Sequence, residues 1–242
     1  MSLLHAYCVM LANGRQAMVD RAIRCFNSQT HKKRELLIYD TGPDFELQLP
    51  PSAVRVRDAA DGRSIGALRN FANSAAERAD IIAHWDSDDW SAPDRLETQI
   101  ATLQRTNKRA TGYNAMPFWD SRGIGEAWCY RNTDPQYVLG TSLCYWRSAW
   151  EGCNFDATSD GEYREFLRRN PPAAESAITY NARPPLMIAS IHSGNVSPWY
   201  RREIMLASEK QGGEWKRVPE WDDEIRKVTA LPSTWKGIEC RR

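Results

Sequence analysis

The stretch Ile81-Ile82-Ala83-His84-Trp85-Asp86-Ser87-Asp88-Asp89-Trp90 decides how the chain is read. An apolar run suited to a strand covered on both faces ends in three carboxylates within four residues. Acids so close together are not buried without a cation or many donors to offset their desolvation, so something positive is expected against Asp86, Asp88 and Asp89. The plainer alternative is a solvated acidic turn capping the helix that starts near Pro93, and an isolated Asp-x-Asp does not separate the two.

Upstream, Tyr7 to Ala12 is an apolar run leading into the turn Asn13-Gly14-Arg15. A helix follows, with Met18, Ala22, Ile23 and Phe26 on its apolar face, Arg15, Asp20, Arg21 and Arg24 elsewhere on the surface, and an end near Ser28. Glu35 to Asp40 is a second strand that finishes in an acid, and Val54 to Arg57 fits a short strand nearer an edge. Ser64 to Ala79 reads as a helix with Ile65, Leu68, Ala72, Ala75, Ala76 and Ala79 buried and Arg69 near its start. This alternation predicts an α/β, Rossmann-like fold: a mixed, mainly parallel central sheet with helices on both faces. Ligands of such sheets lie at the carboxyl ends of the strands, where Asp40 and the acids from Asp86 to Asp89 fall.

Downstream, Pro93 suits the first turn of a helix carrying Leu96, Ile100 and Leu103, with Asp94 and Glu97 complementing its N-terminal dipole. Beyond Lys108, short aromatic runs at Tyr113 to Trp119, Glu126 to Tyr130 and Ser142 to Trp146 predict strands in a more mixed arrangement. Asp160 to Arg169 reads as helix, and Leu186 to Ile191 as the last strand, stopping at the turn His192-Ser193-Gly194-Asn195. The polar tail from Tyr200 shows no clear pattern. A single domain spanning 1–242 is expected, with a first half of alternating strands and helices over 1–108, a more mixed half over 109–200 and a C-terminal extension over 201–242.

Bulk composition narrows the classes. With 42% hydrophobic and 26% charged residues the chain is neither disordered nor a membrane protein in character. A formal charge of +1, from 32 basic and 31 acidic residues, makes no electrostatic case for nucleic acid or an anionic membrane surface. Cys8, Cys25, Cys129, Cys144, Cys153 and Cys240 show no metal-finger spacing and read as reduced thiols. Met1 to Met10 has no basic flank leading into a long apolar segment and no run reaches the length of a membrane span, so a cytoplasmic protein without an integral membrane segment is expected.

The order of these motifs resembles the family 2 glycosyltransferases, whose nucleotide-binding fold is called GT-A. The resemblance rests on Ala12-Asn13-Gly14-Arg15 with Ser28-Gln29 at the helix end, the acidic strand end at Asp40, Gly66-Ala67-Leu68-Arg69-Asn70, and the Asp-x-Asp stretch itself. Their joint order over roughly the first hundred residues is far more specific than any one piece. At Asp40 the second acid usual in the family is replaced by Thr41. Later, Gly161-Glu162-Tyr163-Arg164-Glu165-Phe166 is similar to the segment whose acidic pair supplies the catalytic base, with Tyr163 where an Asp is usual. Ile191-His192-Ser193-Gly194-Asn195-Val196-Ser197 resembles a late segment whose histidine approaches the metal or diphosphate.

The resemblance implies an inverting, hexosyltransferase-type enzyme that moves a sugar from a nucleotide-diphosphate donor, UDP-sugar first, to a glycan or other hydroxyl acceptor. Such transfer needs a cation to neutralise the leaving diphosphate and a base to take the acceptor proton. Asp88, with Asp86 and with His192 as a further ligand, offers hard donors for Mn²⁺ or Mg²⁺, and one imidazole favours Mn²⁺. Ala12, Asn13, Arg15, Asp86 and Ser87 are the expected nucleotide contacts, Asp40 the partner of a base N–H edge, and Arg69 the fork for the diphosphate. Glu162 is the first choice of base and Asp160 the second. His84 is expected in the core or behind the ligands, and Trp85, Trp90, Trp119, Trp128 and Trp146 as packing residues or as walls of the acceptor site. Two alternatives remain: a sugar-phosphate nucleotidyltransferase, which wants a richer glycine loop than the lone Gly14, and a non-catalytic nucleotide-binding or interaction domain of the same fold, favoured by Tyr163.

Overall fold

A computed structural model describes residues 3–59, 62–122, 125–179, 185–195 and 213–230. Four strands, β1 (Ala6–Ala12), β2 (Arg34–Asp40), β3 (Ala53–Arg57) and β4 (Ile81–His84), pair in parallel in the order β4-β1-β2-β3. The crossovers are α1 (Gln16–Asn27) and α2 (Ile65–Ser74). Strand alternation divides β1 between two cores. Ala6, Cys8 and Met10 face α1 and α3 (Arg95–Thr106) through Val19, Phe26, Leu96, Ile100 and Leu103, while Tyr7 and Val9 face α2 through Leu68 and Ala72. Both faces of the central strands are therefore covered, and all four residues of β4 are buried.

The remaining strands among the described residues are β5 (Trp90–Ser91), β6 (Ala110–Asp120), β7 (Glu126–Asn132), β8 (Cys144–Trp146), β9 (Ala173–Ser176), β10 (Met187–Ile191) and β11 (Gly213–Arg217). β8 pairs antiparallel with both β4 and β6 and so joins the parallel half to the mixed half. β10 lies parallel to β6, which sets His192 beside the end of β4. Helices α4 (Arg147–Gly152), α5 (Arg164–Arg169) and α6 (Asp222–Thr229) complete the fold. No helix among the described residues is long and apolar enough to cross a membrane. Cys8, Cys25, Cys129, Cys144 and Cys153 are free thiols, while Cys240 lies outside the described residues.

Several elements differ from their sequence readings. α2 stops at Ser74 rather than Ala79, because Asn73 and Ser74 are weak helix formers and the Ser74 hydroxyl bonds back to the Phe71 carbonyl at 2.6 Å. The helix expected from Asp160 begins only at Arg164, since Gly161 takes a left-handed backbone (φ +67°). β10 is not the last strand. β11 adds to β7 at the sheet edge and α6 follows; β11 reads Gly-Glu-Trp-Lys-Arg, a half-exposed pattern with no apolar run to betray it. Arg21, expected on the surface of α1, is 6% exposed.

Trp85 sits where the sheet, α1 and α3 meet. Its ring meets Phe26 edge-on at 6.1 Å, its Nε1 donates to the Ala22 carbonyl at 2.9 Å, and the Arg95 guanidinium lies 4.9 Å over its face. Arg95 is itself buried and donates to the His84 carbonyl (2.8 Å) and Ser91 Oγ (2.9 Å), pinning the exit of β4. Trp85→Ala is expected to lower unfolding free energy by about 3–5 kcal/mol, as for other large buried aromatics, measured by urea titration; an unchanged midpoint rules out this packing role.

Candidate active site

The acidic turn after β4 opens into a cleft of ≈ 340 Å³. Each acid meets a different partner. Asp86 Oδ1 accepts from Arg69 Nη2 at 2.9 Å. Asp88 Oδ2 lies 2.8 Å from His192 Nε2 and 3.7 Å from Arg15 Nη2. Asp89 is buried and accepts from the Ser190 N–H at 2.9 Å and from the Thr141 hydroxyl. Burial would raise the Asp86 carboxyl, but Arg69 beside it brings it below the ordinary range. Burial and the repulsion of Asp88 and Asp86 push Asp89 up to about 8.

Arg69 reaches the cleft from the first turns of α2. Burial disfavours its charge, yet Asp86 and Glu162 together hold its pKa above the ordinary value. Its Nε lies 3.4 Å from Glu162 Oε1, while its buried Nη1 has no hydrogen-bond partner among the described residues. Gly66 and Asn70 explain how a residue of the first half meets one of the second. A Cβ on Gly66 would stand 1.8 Å from the Asp156 carbonyl, so only glycine lets the 155–162 loop cross the start of α2. Asn70 holds that loop from both sides, accepting from Phe155 N (3.0 Å) and donating to Phe155 O (2.8 Å).

Arg15 caps α1 in a left-handed conformation (φ 60°), uncommon for a side-chain-bearing residue, and its Nη1 donates to the Gly194 carbonyl at 3.0 Å. Ala12, Asn13, Arg15, Arg69, Asp86, Ser87, Asp88, Asp160 and Glu162 all line the cleft. His192 reaches its edge through the Asp88 contact. Asp160 and Glu162 are unlike: the Asp160 side chain is 70% exposed and 3.8 Å from Arg164, while that of Glu162 is 7% exposed.

The structure does not bring the Asp40 carboxylate to the cleft. Arg55 pairs with it, the Gly42 N–H donates to it at 3.0 Å, and its side chain has no exposed surface; Thr41 lines the cleft instead. The basic alternation of β3 carried this partner, since Arg55 stands one strand away in register with Ile38. His84 is a core residue: its Nδ1 donates to the Gly140 carbonyl at 2.6 Å, and burial followed by the nearby Arg69 charge drives its pKa well below the ordinary value. The tryptophans named from sequence do not wall the cleft. Trp85 and Trp119 are core, and the aromatic wall is Phe118, Tyr130, Tyr137, Tyr163 and Trp215. The aromatic runs of β6 and β7 were the available signal for Phe118 and Tyr130, whereas Tyr137 and Trp215 had none. Val196 and Ser197 lie outside the described residues.

Among the described residues no three His, Cys, Asp or Glu side chains converge as a ready-made cation cage. Asp88 and His192 do converge, which fits a hard cation that takes its other ligands from phosphate and water. The Gly194 N–H donates to His192 Nδ1 at 3.0 Å, so the neutral ring carries its proton on Nε2, toward Asp88. Ligation through Nε2 requires that proton to move to Nδ1 and the Gly194 contact to open.

A parallel β-α-β half whose strand ends face a mixed, aromatic-walled half is the GT-A arrangement. The sequence model of glycosyl transferase family 2 matches residues 7–142, and the chain belongs to that family. Similar solved structures include S. aureus TarS 1–349 in complex with UDP-GlcNAc (13% identity, 79% of this chain and 60% of that one, TM-score 0.61). Another is the mannosyltransferase PcManGT from Pyrobaculum calidifontis in complex with GDP-Man and Mn²⁺ (11% identity, 96% of this chain and 70% of that one, TM-score 0.58). At such identities the likeness establishes the fold. The chain spans 37% of the S. aureus TarS chain and 60% of its 1–349 form. A comparison with curated proteins finds no match.

Because Asp40 is fully enclosed, removing its cation leaves a buried charge unpaired. Arg55→Ala is expected to cost about 3–5 kcal/mol of stability, read from the urea midpoint. A midpoint within error of the parent value shows that the Asp40 carboxylate does not depend on Arg55.

Proposed function

We propose that the chain is a metal-dependent, inverting glycosyltransferase that moves a hexose from a nucleotide-diphosphate sugar to a glycan hydroxyl. The observation that carries this reading is the row of groups across one cleft: the Asp88–His192 pair, then Asp86, Arg69 and Glu162. Cation ligands, a guanidinium with a free Nη1 and a carboxylate base thus succeed one another from the donor to the acceptor side. The neighbours crystallised with UDP-GlcNAc or with GDP-Man and Mn²⁺ support the donor class.

Asp88 and His192 would hold the cation, Mn²⁺ in preference to Mg²⁺ because imidazole is a poorer partner for the latter. When bound, the cation neutralises charge developing on the leaving diphosphate. Arg69, which lines the cleft between Asp86 and Glu162, would set its guanidinium charge against the same diphosphate, with those two carboxylates holding its fork in place. Ala12, Asn13, Arg15 and Ser87 line the nucleotide side, and Thr41 takes the place at the end of β2 that Asp40 does not reach. Glu162 is the better-placed base. It is largely buried beside Arg69, whereas the side chain of Asp160, also on the cleft wall, is solvated and lies near Arg164. The acceptor O–H gives its proton to the Glu162 carboxylate as its oxygen attacks the anomeric carbon, and the nucleoside diphosphate leaves from the opposite face. One displacement inverts the centre without a covalent intermediate. Phe118, Tyr130, Tyr137 and Trp215 suit the CH faces of a sugar acceptor.

With Asp88 and His192 the two ligands brought together among the described residues, phosphate oxygens complete the cation's shell, which makes metal and nucleotide binding interdependent. UDP or GDP with Mn²⁺ is expected to raise the melting temperature where Mn²⁺ alone does little, and Asp88→Ala is expected to remove the metal-dependent part while the fold survives. No shift with any nucleoside diphosphate and metal sinks the reading.

Glu162→Gln is expected to reduce transfer about 10²–10⁴-fold with donor binding retained. Equal loss on Asp160→Asn, with Glu162→Gln active, reverses the assignment. Trp215→Ala is expected to raise the acceptor KM and leave the donor KM unchanged; the opposite split removes the ring from the acceptor side.

A further inference from the structure

Arg21 is a buried cation to which the reaction above assigns no part. It belongs to α1, 6% exposed, and its fork spreads to three elements distant in sequence. Nη1 donates to the Thr229 carbonyl at 2.6 Å, while Nη2 donates to Ser190 Oγ at 3.0 Å and to the main-chain carbonyl of Asp88. All three acceptors are uncharged oxygens. A guanidinium is costly to bury, and here the nearby charges of Asp89 and Asp88 offset part of that cost, so Arg21 is tied to the acidic turn by charge as well as by its hydrogen bonds.

Each acceptor has a position that matters. The Asp88 carbonyl belongs to the residue whose side chain faces His192 and Arg15. Ser190 is the node of β10: its N–H donates to Asp89 Oδ1, its Oγ accepts from Arg21, and its carbonyl accepts from Asn195 Nδ2 at 3.1 Å. The Thr229 carbonyl is the last of α6, one of the outward-facing carbonyls that concentrate negative partial charge at a helix C-terminus. That helix is seated by Ile225, packed with Trp119, Ala127 and Ile188, and by Asp222, which accepts from the Ala127 N–H at 2.8 Å. A rigid fork fixed at the helix end therefore fixes the height of the Asp88 peptide and the spacing of the acidic turn from β10, which carries His192.

We infer that Arg21 is a positioning residue for the cation and diphosphate end of the cleft, acting through the Asp88 main chain, and that helix α6 holds it in place. The inference rests on the glycosyltransferase reading. It gives helix α6, beyond the matched family region, a part in donor binding as well as in covering the sheet.

The test is calorimetric titration of the full chain with UDP and with GDP, each with Mn²⁺, at a temperature where circular dichroism shows every variant folded. Arg21→Met keeps the stem and removes the fork; it is expected to weaken Mn²⁺-dependent diphosphate binding about tenfold or more, with Arg21→Lys restoring part of the loss. Ile225→Ala, which loosens α6 without touching the cleft, is expected to act in the same direction, and the double variant to bind little worse than Arg21→Met alone. A purely structural Arg21 lowers the melting temperature but leaves the affinity of folded protein unchanged, and that result overturns the inference. Additive losses in the double variant overturn the part assigned to α6. If the parent binds neither diphosphate with Mn²⁺, the glycosyltransferase reading falls and this inference with it; if the parent binds and Arg21→Met binds as tightly, the inference alone falls.

Discussion

Three carboxylates at the end of a strand buried on both faces are the constraint around which the cleft is assembled. No single cation answers them. Asp86 turns to Arg69 from α2, Asp88 to His192 after β10 and to Arg15 at the head of α1, and Asp89 to the Ser190 N–H and the Thr141 hydroxyl. The main chain beneath them is held by Arg21, and the strand that delivers them by Arg95. Because each acid recruits a different element, satisfying their desolvation brings together the start of α1, the start of α2, the 140–142 turn and the end of β10. The cleft is what remains between those elements.

How far this was legible from sequence follows from where each signal is stored. β1, β2, β4, α1 and α3 announce themselves because a strand buried on both faces needs a continuous apolar run and a covering helix needs one apolar face, and both patterns are local. The basic alternation of β3 likewise marked an edge strand. β11 and α6 escaped because an edge strand half open to solvent alternates charged and aromatic residues with no apolar run, and an eight-residue helix spans too few turns for a clear period. Asp40 shows the same limit at the level of a residue. Its acid at a strand end was plain, but its partner Arg55 is fifteen positions away and adjacent only through sheet register. Arg21 was misplaced for a related reason, since a charged residue on an amphipathic helix reads as solvated unless something distant offers it acceptors.

The motif Gly66-Ala67-Leu68-Arg69-Asn70 ties the two halves into one site, and each of its fixed residues has a separate duty. Gly66 makes room for the Asp156 carbonyl, Asn70 grips Phe155 by both main-chain polar groups, and Arg69 spans the gap from Asp86 to Glu162. The parallel half alone would pair this cation with Asp86 only. With the 155–162 loop laid across α2, the same guanidinium also faces the Glu162 carboxylate, so the charges of the two halves meet across one side chain.

The substitution at Tyr163 then takes on a definite sense. Its ring lies so close to Gly140 that a Cβ there would stand 2.2 Å from the ring carbon Cε1, and Gly140 is the residue whose carbonyl accepts from His84. Next to Gly140 is Thr141, whose hydroxyl reaches Asp89. The residue standing in place of a second acid is thus a packing support for the turn that satisfies the third carboxylate of the strand end. An aspartate there would add charge to a cleft already holding Asp86, Asp88 and Glu162, whereas tyrosine supplies an apolar face to Gly140 and leaves Glu162 the one enclosed carboxylate of its loop beside Arg69. On this geometry Tyr163 is a packing residue, and Glu162 alone of the pair keeps an enclosed carboxylate for the role proposed for it.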